Sequence, residues 1–549
     1  MGPVLVPPVH RLPPEILRDI FRLLDVDRSY AFRHHGAPPL TYLSHVCRKW
    51  RHVALDMQEL WNSWPRYRTA DENWTLLCCS RARTTPLDLE WTVGASYRSD
   101  ELNNRCHSLV RHTLPHASRA RTLVINIDAD FVPSVAAFWR DEVLPVLSMH
   151  FPLLEDFSYM PNIETSNDEM RIITPSIFSG VYPPHLRKMF LSSCEALQTC
   201  PIYSANLQHL HLYSARAWTD VDGMIRLFQS IPNLETFEYS LGTTEFDDDY
   251  VYDPTPSLHH PLRAVAMNRL KSFKTIQSRF VHGITILCYL ALPPDANISF
   301  WWTDNEEAEE MEAHELTQAI EHMRLGSEAL NQHFVSAVFT GMQPFRAVEI
   351  AGTCVRPLHV EEESADATRA PPSLSLTAPL VDTREMLLRA EPCLLTALQP
   401  IFLQATYLRL KLSDLHDIHD TEQWIALWVN LYQYQKVTDL HLFGKNVVWF
   451  FDYLVVRLNP EFPASTPALF PLLENITVSD FDFTKARRTR DGDERPFGMR
   501  FGDVVNRIFG GLESFGNVWV GHTCKGHGAA VEQLRMCLGD DRVESDDEV

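Results

Sequence analysis

The chain is 549 residues long, 45% apolar and 22% charged, with 21 Gly and 36 Pro. That composition belongs to an ordinary folded chain and excludes collagen-like, low-complexity and wholly disordered classes. With 71 Asp and Glu against 49 Lys and Arg, the net charge is −22, a field that repels phosphate backbones and argues against nucleic acid as a partner.

In chain order, the first element follows Leu12-Pro13-Pro14-Glu15, where Ile16, Leu17, Ile20, Phe21 and Leu24 recur at the spacing of one helical stripe. Proline in the first turn suits a helix start, because its missing N–H would go unbonded there. A loop is predicted over 27–39. Leu43, Val46, Cys47, Trp50, Val53 and Met57 then repeat the spacing in a second helical segment whose polar face carries Arg48, Lys49 and Arg51, and Leu60-Trp61 and Trp64-Pro65 follow. Residues 1–70 hold ten basic and six acidic side chains, against the trend of the whole. Helices this short bury too little surface to stand alone, so the stripe needs either a partner or the rest of the chain.

The run Leu12-Pro13-x-Glu15-Ile16-Leu17-x-x-Ile20-Phe21, then Leu43-x-x-Val46-Cys47-Arg48-x-Trp50-Arg51, then Leu60-Trp61 resembles an F-box of the fungal type. The resemblance implies docking on a Skp-type adaptor and, through it, on a cullin scaffold of a ubiquitin ligase. The adaptor contacts it implies are Leu12, Pro13, Ile16, Leu17, Ile20, Phe21 and Leu24 on the first helix. On the second they are Leu43, Val46, Cys47 and Trp50, some of them forming the module's own core. The chain departs from the pattern at 27–39, where an insertion holding Arg33-His34-His35 is longer than a compact F-box needs.

Residues 66–119, anchored by Trp74, Leu76, Leu77, Leu87, Leu89 and Trp91, are expected to form a helical linker. From residue 120 a pattern L-x-x-L-x-L recurs, beginning at Ala120, Leu154, Leu186, Leu207, Leu234, Leu287, Phe345, Pro371, Ala405, Val437, Leu473 and Phe515. In a strand, such spacing turns the Leu positions inward and the intervening residues outward. The stretch Leu186–Cys194 is the nearest to a full leucine-rich-repeat consensus, with Cys194 at the Asn/Cys position. Helices are expected over 218–230 and 305–323. The predicted fold class is therefore α/β. It comprises a small N-terminal all-α F-box module (1–65), the helical linker, an irregular leucine-rich-repeat-like solenoid (120–539) and an acidic disordered tail (540–549). The solenoid resembles the substrate-recognition half of many F-box proteins, although the same strands also fit a non-repetitive α/β protein.

The outward positions Lys188, Phe190, His209, His211, Tyr213, Glu238, Arg409 and His441 are the candidate contacts to a protein substrate, mixed in chemistry as protein interfaces are. An acidic run over 304–315 reads as a solvated helix face, 361–372 as an insertion, and Lys485 to Arg490 as a basic loop.

No catalytic, metal or cofactor motif is complete. His314-Glu315 has Gln318 where a zinc-protease motif needs its second His. His522-x-Cys524-x-x-His527 lacks a fourth ligand. Eleven scattered cysteines, the lack of a leader at Met1–Pro8 and a longest apolar run of only 283–292 predict an intracellular, cytoplasmic or nuclear protein with no membrane role. The expected function is a non-catalytic substrate receptor for ubiquitin-dependent degradation. The alternative is a leucine-rich scaffold with no ubiquitin role.

Overall fold

The computed structural model describes residues 12–25, 39–62, 72–94, 100–128, 133–162, 168–240, 251–276, 280–301, 313–341, 344–351, 354–357, 374–377, 397–411, 431–432, 434–459, 468–484 and 495–545. The chain divides into two compact units, the first built mainly from residues up to 219 and the second mainly from residue 252 onward.

The first unit opens with α1 (Pro14–Asp25), α2 (Pro39–Val46) and α3 (Arg48–Asp56). Pro14 begins α1, Glu15 lies in its first turn and Arg22 in its last, an order that suits the helix dipole. After α4 (Glu72–Arg81) come β1 (Leu87–Val93), α5 (Asp100–Thr113), β2 (Ala120–Asp128), β3 (Asp156–Asn162), β4 (Lys188–Ser192) and β5 (His209–Tyr213). These five strands pair in parallel in the order of the chain. Leu123, Ile125 and Ile127 of β2, Met189 and Leu191 of β4, and Leu210 and Leu212 of β5 are buried, while the residues between them stay partly or fully exposed.

The second unit contains β6 (Thr236–Ser240), β8 (Ser272–Ile276), β10 (Asn297–Trp301), β11 (Ala347–Ala351), β12 (Cys354–Pro357), β13 (Leu374–Thr377), β14 (Tyr407–Leu410), β15 (Asp439–Phe443), β16 (Asn475–Ser479), β17 (Asn517–Val520) and β18 (Val543–Ser545). They are ordered β6-β8-β10-β13-β12-β11-β14-β15-β16-β17-β18. All these neighbours are parallel except β12, which runs antiparallel to β11 and β13. A separate pair joins β7 (Val265–Ala266) and β9 (Leu290–Ala291). Two helices of this unit, Phe497–Phe509 and His527–Leu538, meet closely because Gly502 has no side chain. A Cβ there would stand 2.9 Å from the Cβ of Cys537.

The same local device starts strand after strand. One carbonyl accepts the N–H groups of two successive residues of the next segment. Glu155 takes those of Arg187 and Lys188, and Arg187 those of Gln208 and His209. Thr406 takes those of Thr438 and Asp439, and Thr438 those of Glu474 and Asn475. Each start follows a buried leucine or valine, such as Leu186, Leu207, Val437 and Leu473. Strands also leave the sheet alike, with the following residue left-handed at Ser193, Ser214, Gly444 and Asp480. The architecture is thus an N-terminal helical region followed by mixed α/β structure with parallel sheets.

Several expectations are corrected. Residues 66–119 are not helical throughout, because Leu87, Leu89, Trp91 and Val93 alternate as buried residues of β1. The tail is ordered through Ser545. Val543 is buried and β18 pairs with β17, so the apolar alternation of Val543-Glu544-Ser545 outweighs the acidity around it. Leu287 lies in the helix Phe280–Tyr289, whose residues from His282 on are buried; an apolar run of this kind does not reveal its period. Every other start of the L-x-x-L-x-L pattern leads into a strand, and Val221–Ser230 is helical as expected.

The insertion at 27–38, Trp64, the acidic residues up to 312, the insertion at 361–372, the basic loop at 485–490 and the last four residues lie outside the described residues. No helix among the described residues is long and apolar enough to cross a membrane.

Candidate docking surfaces

Helix α1 has two apolar stripes. Leu17 and Phe21, one turn apart, point inward and are fully buried. The Phe21 ring meets Trp50 of α3 at 5.1 Å between centroids, and Leu43, Val53, Ala54, Met57 and Leu60 are buried as well. Cys47 serves as the N-cap of α3, its Sγ accepting the Trp50 N–H at 3.5 Å. Arg18 to Asp56 at the end of α3 (2.9 Å) and Arg22 to Glu59 in the turn that follows it (3.0 Å) tie α1 to this segment at the surface, and Lys49 donates to the Leu12 carbonyl at 2.6 Å.

The second stripe runs through Ile16, Ile20 and Leu23, at i, i+4 and i+7 of the same helix. Ile16 is 45% exposed and Leu23 74%; Ile20 and Leu12 are half-buried and Pro13 is exposed. Val46 at the end of α2 is 53% exposed. The sequence-derived adaptor contacts therefore fall into two groups. Leu17, Phe21, Leu43 and Trp50 hold the module together, with Cys47 as its cap, while Leu12, Pro13, Ile16, Ile20 and Val46 reach solvent. The side chain of Leu24 lies outside the described residues. Leu23 was overlooked, although its spacing from Ile16 and Ile20 marks it.

The module continues into the sheet without a free joint. Trp61 is buried, donates from its indole N–H to the Ala54 carbonyl at 3.1 Å, and lies 5.9 Å from Trp74 and 4.4 Å from the Arg81 guanidinium. The next residue, Asn62, accepts the N–H of Asp88 in β1 at 2.9 Å. The buried Asp88 carboxylate in turn accepts from Arg121, whose Nη2 donates to both of its oxygens at 2.9 Å and whose Nε donates to Oδ1 at 3.1 Å.

The outward faces of the strands carry the remaining candidates. In the first unit, Lys188 pairs with His209, Phe190 with His211 and Ser192 with Tyr213 across β4 and β5, and the Phe190 and His211 rings meet edge-on at 4.6 Å. Lys188 and Tyr213 are exposed. In the second unit, Glu238 stands in register with Lys274, away from Arg409 and His441, which are paired across β14 and β15. His441 has both ring nitrogens engaged, by the Tyr407 hydroxyl and the Ser479 hydroxyl, each at 2.9 Å. Burial, helped by the Arg409 charge, lowers its pKa to about 4. Glu349, also in this row, went unnoticed in the sequence although it lies between the pattern positions Val348 and Ile350.

The possible metal ligands do not converge. Cys524 donates to the Val478 carbonyl, and an imidazole nitrogen of His527 bonds the Val520 carbonyl at 3.0 Å. Among the described residues no cluster of three such side chains is suited to a metal ion. Burial pushes the Cys78 and Cys194 thiols far up and those of Cys79 and Cys200 to about 11, the opposite of what a thiolate nucleophile needs.

A comparison with protein-family models matches an F-box-like domain over residues 9–63. No curated protein matches the chain.

Proposed function

Taking as premise that the chain carries an F-box-like domain, we propose that it is the substrate-receptor subunit of a Skp–cullin–F-box ubiquitin ligase. Domains of this kind typically bind Skp-type adaptors. The observation that carries the reading is the division of α1: Leu17 and Phe21 complete the module's core, while Ile16 and Leu23 are left bare, as is Val46 of α2. Surface-exposed apolar side chains in one stripe are the ordinary signature of a helix that docks on a partner. In this reading residues 1–65 bind the adaptor, and the leucine-rich-repeat-like region to 539 offers its outward strand faces to a protein substrate in the cytoplasm or nucleus. The chain itself supplies no chemistry. It raises the substrate's effective concentration near the transferring enzyme, and Trp61 and Asn62 join the module to the sheet of the first unit.

The test is gel filtration of the full chain mixed with a Skp-type adaptor, comparing wild type with Ile16→Asp. Because Ile16 is half in water, the variant stays folded, and the expected result is a one-to-one complex with wild type only. If wild type forms no complex, the receptor reading fails and the chain is better read as a scaffold.

A further inference from the structure

On the outward face of the second unit, Phe443 of β15 is shared by two cations. The guanidinium of Arg409 lies 4.4 Å from its ring centroid and the ammonium of Lys411 5.9 Å. His441 packs against the same ring at 4.2 Å, fixed between the Tyr407 and Ser479 hydroxyls, so the floor beneath the cations is rigid. Among the described residues the carboxylate paired with Arg409 is Glu349, 3.6 Å from Nε and only 1% exposed, beneath the surface. The Arg409 Nε itself is buried without a hydrogen-bond acceptor. Lys411 is exposed and makes no ion pair among the described residues. Of the other carboxylates on this face, Asp439 already accepts from Thr438 and Asn475 at 2.7 Å, and Asp480 lies at the margin, near His441.

In a chain with 71 acidic and 49 basic side chains, two adjacent cations presented on an aromatic ring, with the Glu349 carboxylate buried below Arg409, are complementary to an incoming anion. A guanidinium and an ammonium on the same ring suit a carboxylate, which accepts charge-assisted hydrogen bonds from both. The apolar ring between them suits the methylene stem that carries it.

We infer that the C-terminal ends of β14 and β15, at Arg409, Lys411 and Phe443, grip an acidic peptide segment of the protein substrate. This inference rests on the proposal that the strand face takes that substrate, and it adds what the face recognises.

The experiment is fluorescence anisotropy of full-length protein with a fluorescein-labelled hexaglutamate peptide, blocked at its C-terminus, against the matching hexaglutamine peptide. Saturable binding of hexaglutamate is expected, with hexaglutamine at least about tenfold weaker. Lys411→Gln, which leaves the Arg409–Glu349 pair intact, should weaken hexaglutamate binding several-fold, and Arg409→Gln/Lys411→Gln about tenfold or more. Arg269→Gln/Arg507→Gln, the same loss of charge at two exposed residues elsewhere in the second unit, should change it less than about twofold. Equal losses in the two double variants, no loss in Lys411→Gln, or no saturable hexaglutamate binding overturns the inference. Adaptor binding, measured on the same preparations, is independent of these outcomes. A chain that binds the peptide but not the adaptor refutes the receptor reading alone, and the reverse refutes the acidic-segment inference alone.

Discussion

Replacing Phe21 by alanine separates the two stripes of α1 most sharply. The ring is fully buried and packs on Trp50 at 5.1 Å, over a core of Leu17, Leu43, Val53 and Ala54. Truncating a buried phenylalanine costs about 3–5 kcal/mol, the transfer of the ring plus the cavity left behind. A helical module this small has little stability to spare, so Phe21→Ala should unfold residues 12–62 locally. Ile16→Ala on the same helix removes a side chain that is 45% exposed, and the expected change lies within about 0.5 kcal/mol. Amide hydrogen exchange on the free chain reads both variants. Phe21→Ala should abolish protection in α1 and α3 and leave β14 to β17 unchanged, while Ile16→Ala should match wild type. If Ile16→Ala loses protection as Phe21→Ala does, Ile16 packs within the chain and the docking stripe does not exist.

Three further outcomes follow from the geometry. Arg121→Ala leaves the buried Asp88 carboxylate without its guanidinium, which should cost about 3–5 kcal/mol in urea unfolding of the first unit; a loss below about 1 kcal/mol means Asp88 is not held by that pair. Val543→Asp places a charge at a buried position of β18 and should remove protection from β17 and β18 at a cost of about 3 kcal/mol or more; an unchanged midpoint shows that the C-terminal strand is dispensable. His441 has its folded pKa lowered to about 4, so its contribution is complete above the unfolded value of about 6.5 and is lost as pH falls toward the folded one. Its ring proton shift in nuclear magnetic resonance should stay flat from pH 8 to about 5.5, and a midpoint near that of free histidine contradicts the burial described.

Much of this architecture was legible because period and burial agree. The L-x-x-L-x-L spacing located β2 to β6 and β14 to β17, since their leucines and valines face one way and polar residues the other. It misread Leu287, where a continuous apolar run in Phe280–Tyr289 hides its period, while Leu290 of the same instance does enter the short strand β9. The buried alternation of β1 was visible as Leu87, Leu89 and Trp91, although these residues were expected to anchor a helical linker, and Asp88 and Glu90 alternate between them. In the structure Arg121 and Asn126 of the neighbouring strand satisfy both carboxylates. The reversed strand β12 carries no mark in sequence, because direction is set by pairing with β11 and β13 and not by residue type. For the candidate site, spacing showed which residues share a stripe of α1 but not which stripe is covered. That depends on Trp50 of α3, whose ring meets Phe21. Arg409 and His441 were recognised as outward residues, whereas their link to Phe443 and Glu349 depends on strand register.

The central claim is that the bare stripe of the helical module binds a Skp-type adaptor. Amide hydrogen exchange of the full chain with and without saturating adaptor tests it directly. New protection is expected only in α1 and α2, residues 14–25 and 39–46, with the outward strand faces of both units unchanged. Protection that appears on those strands instead, or nowhere, contradicts it.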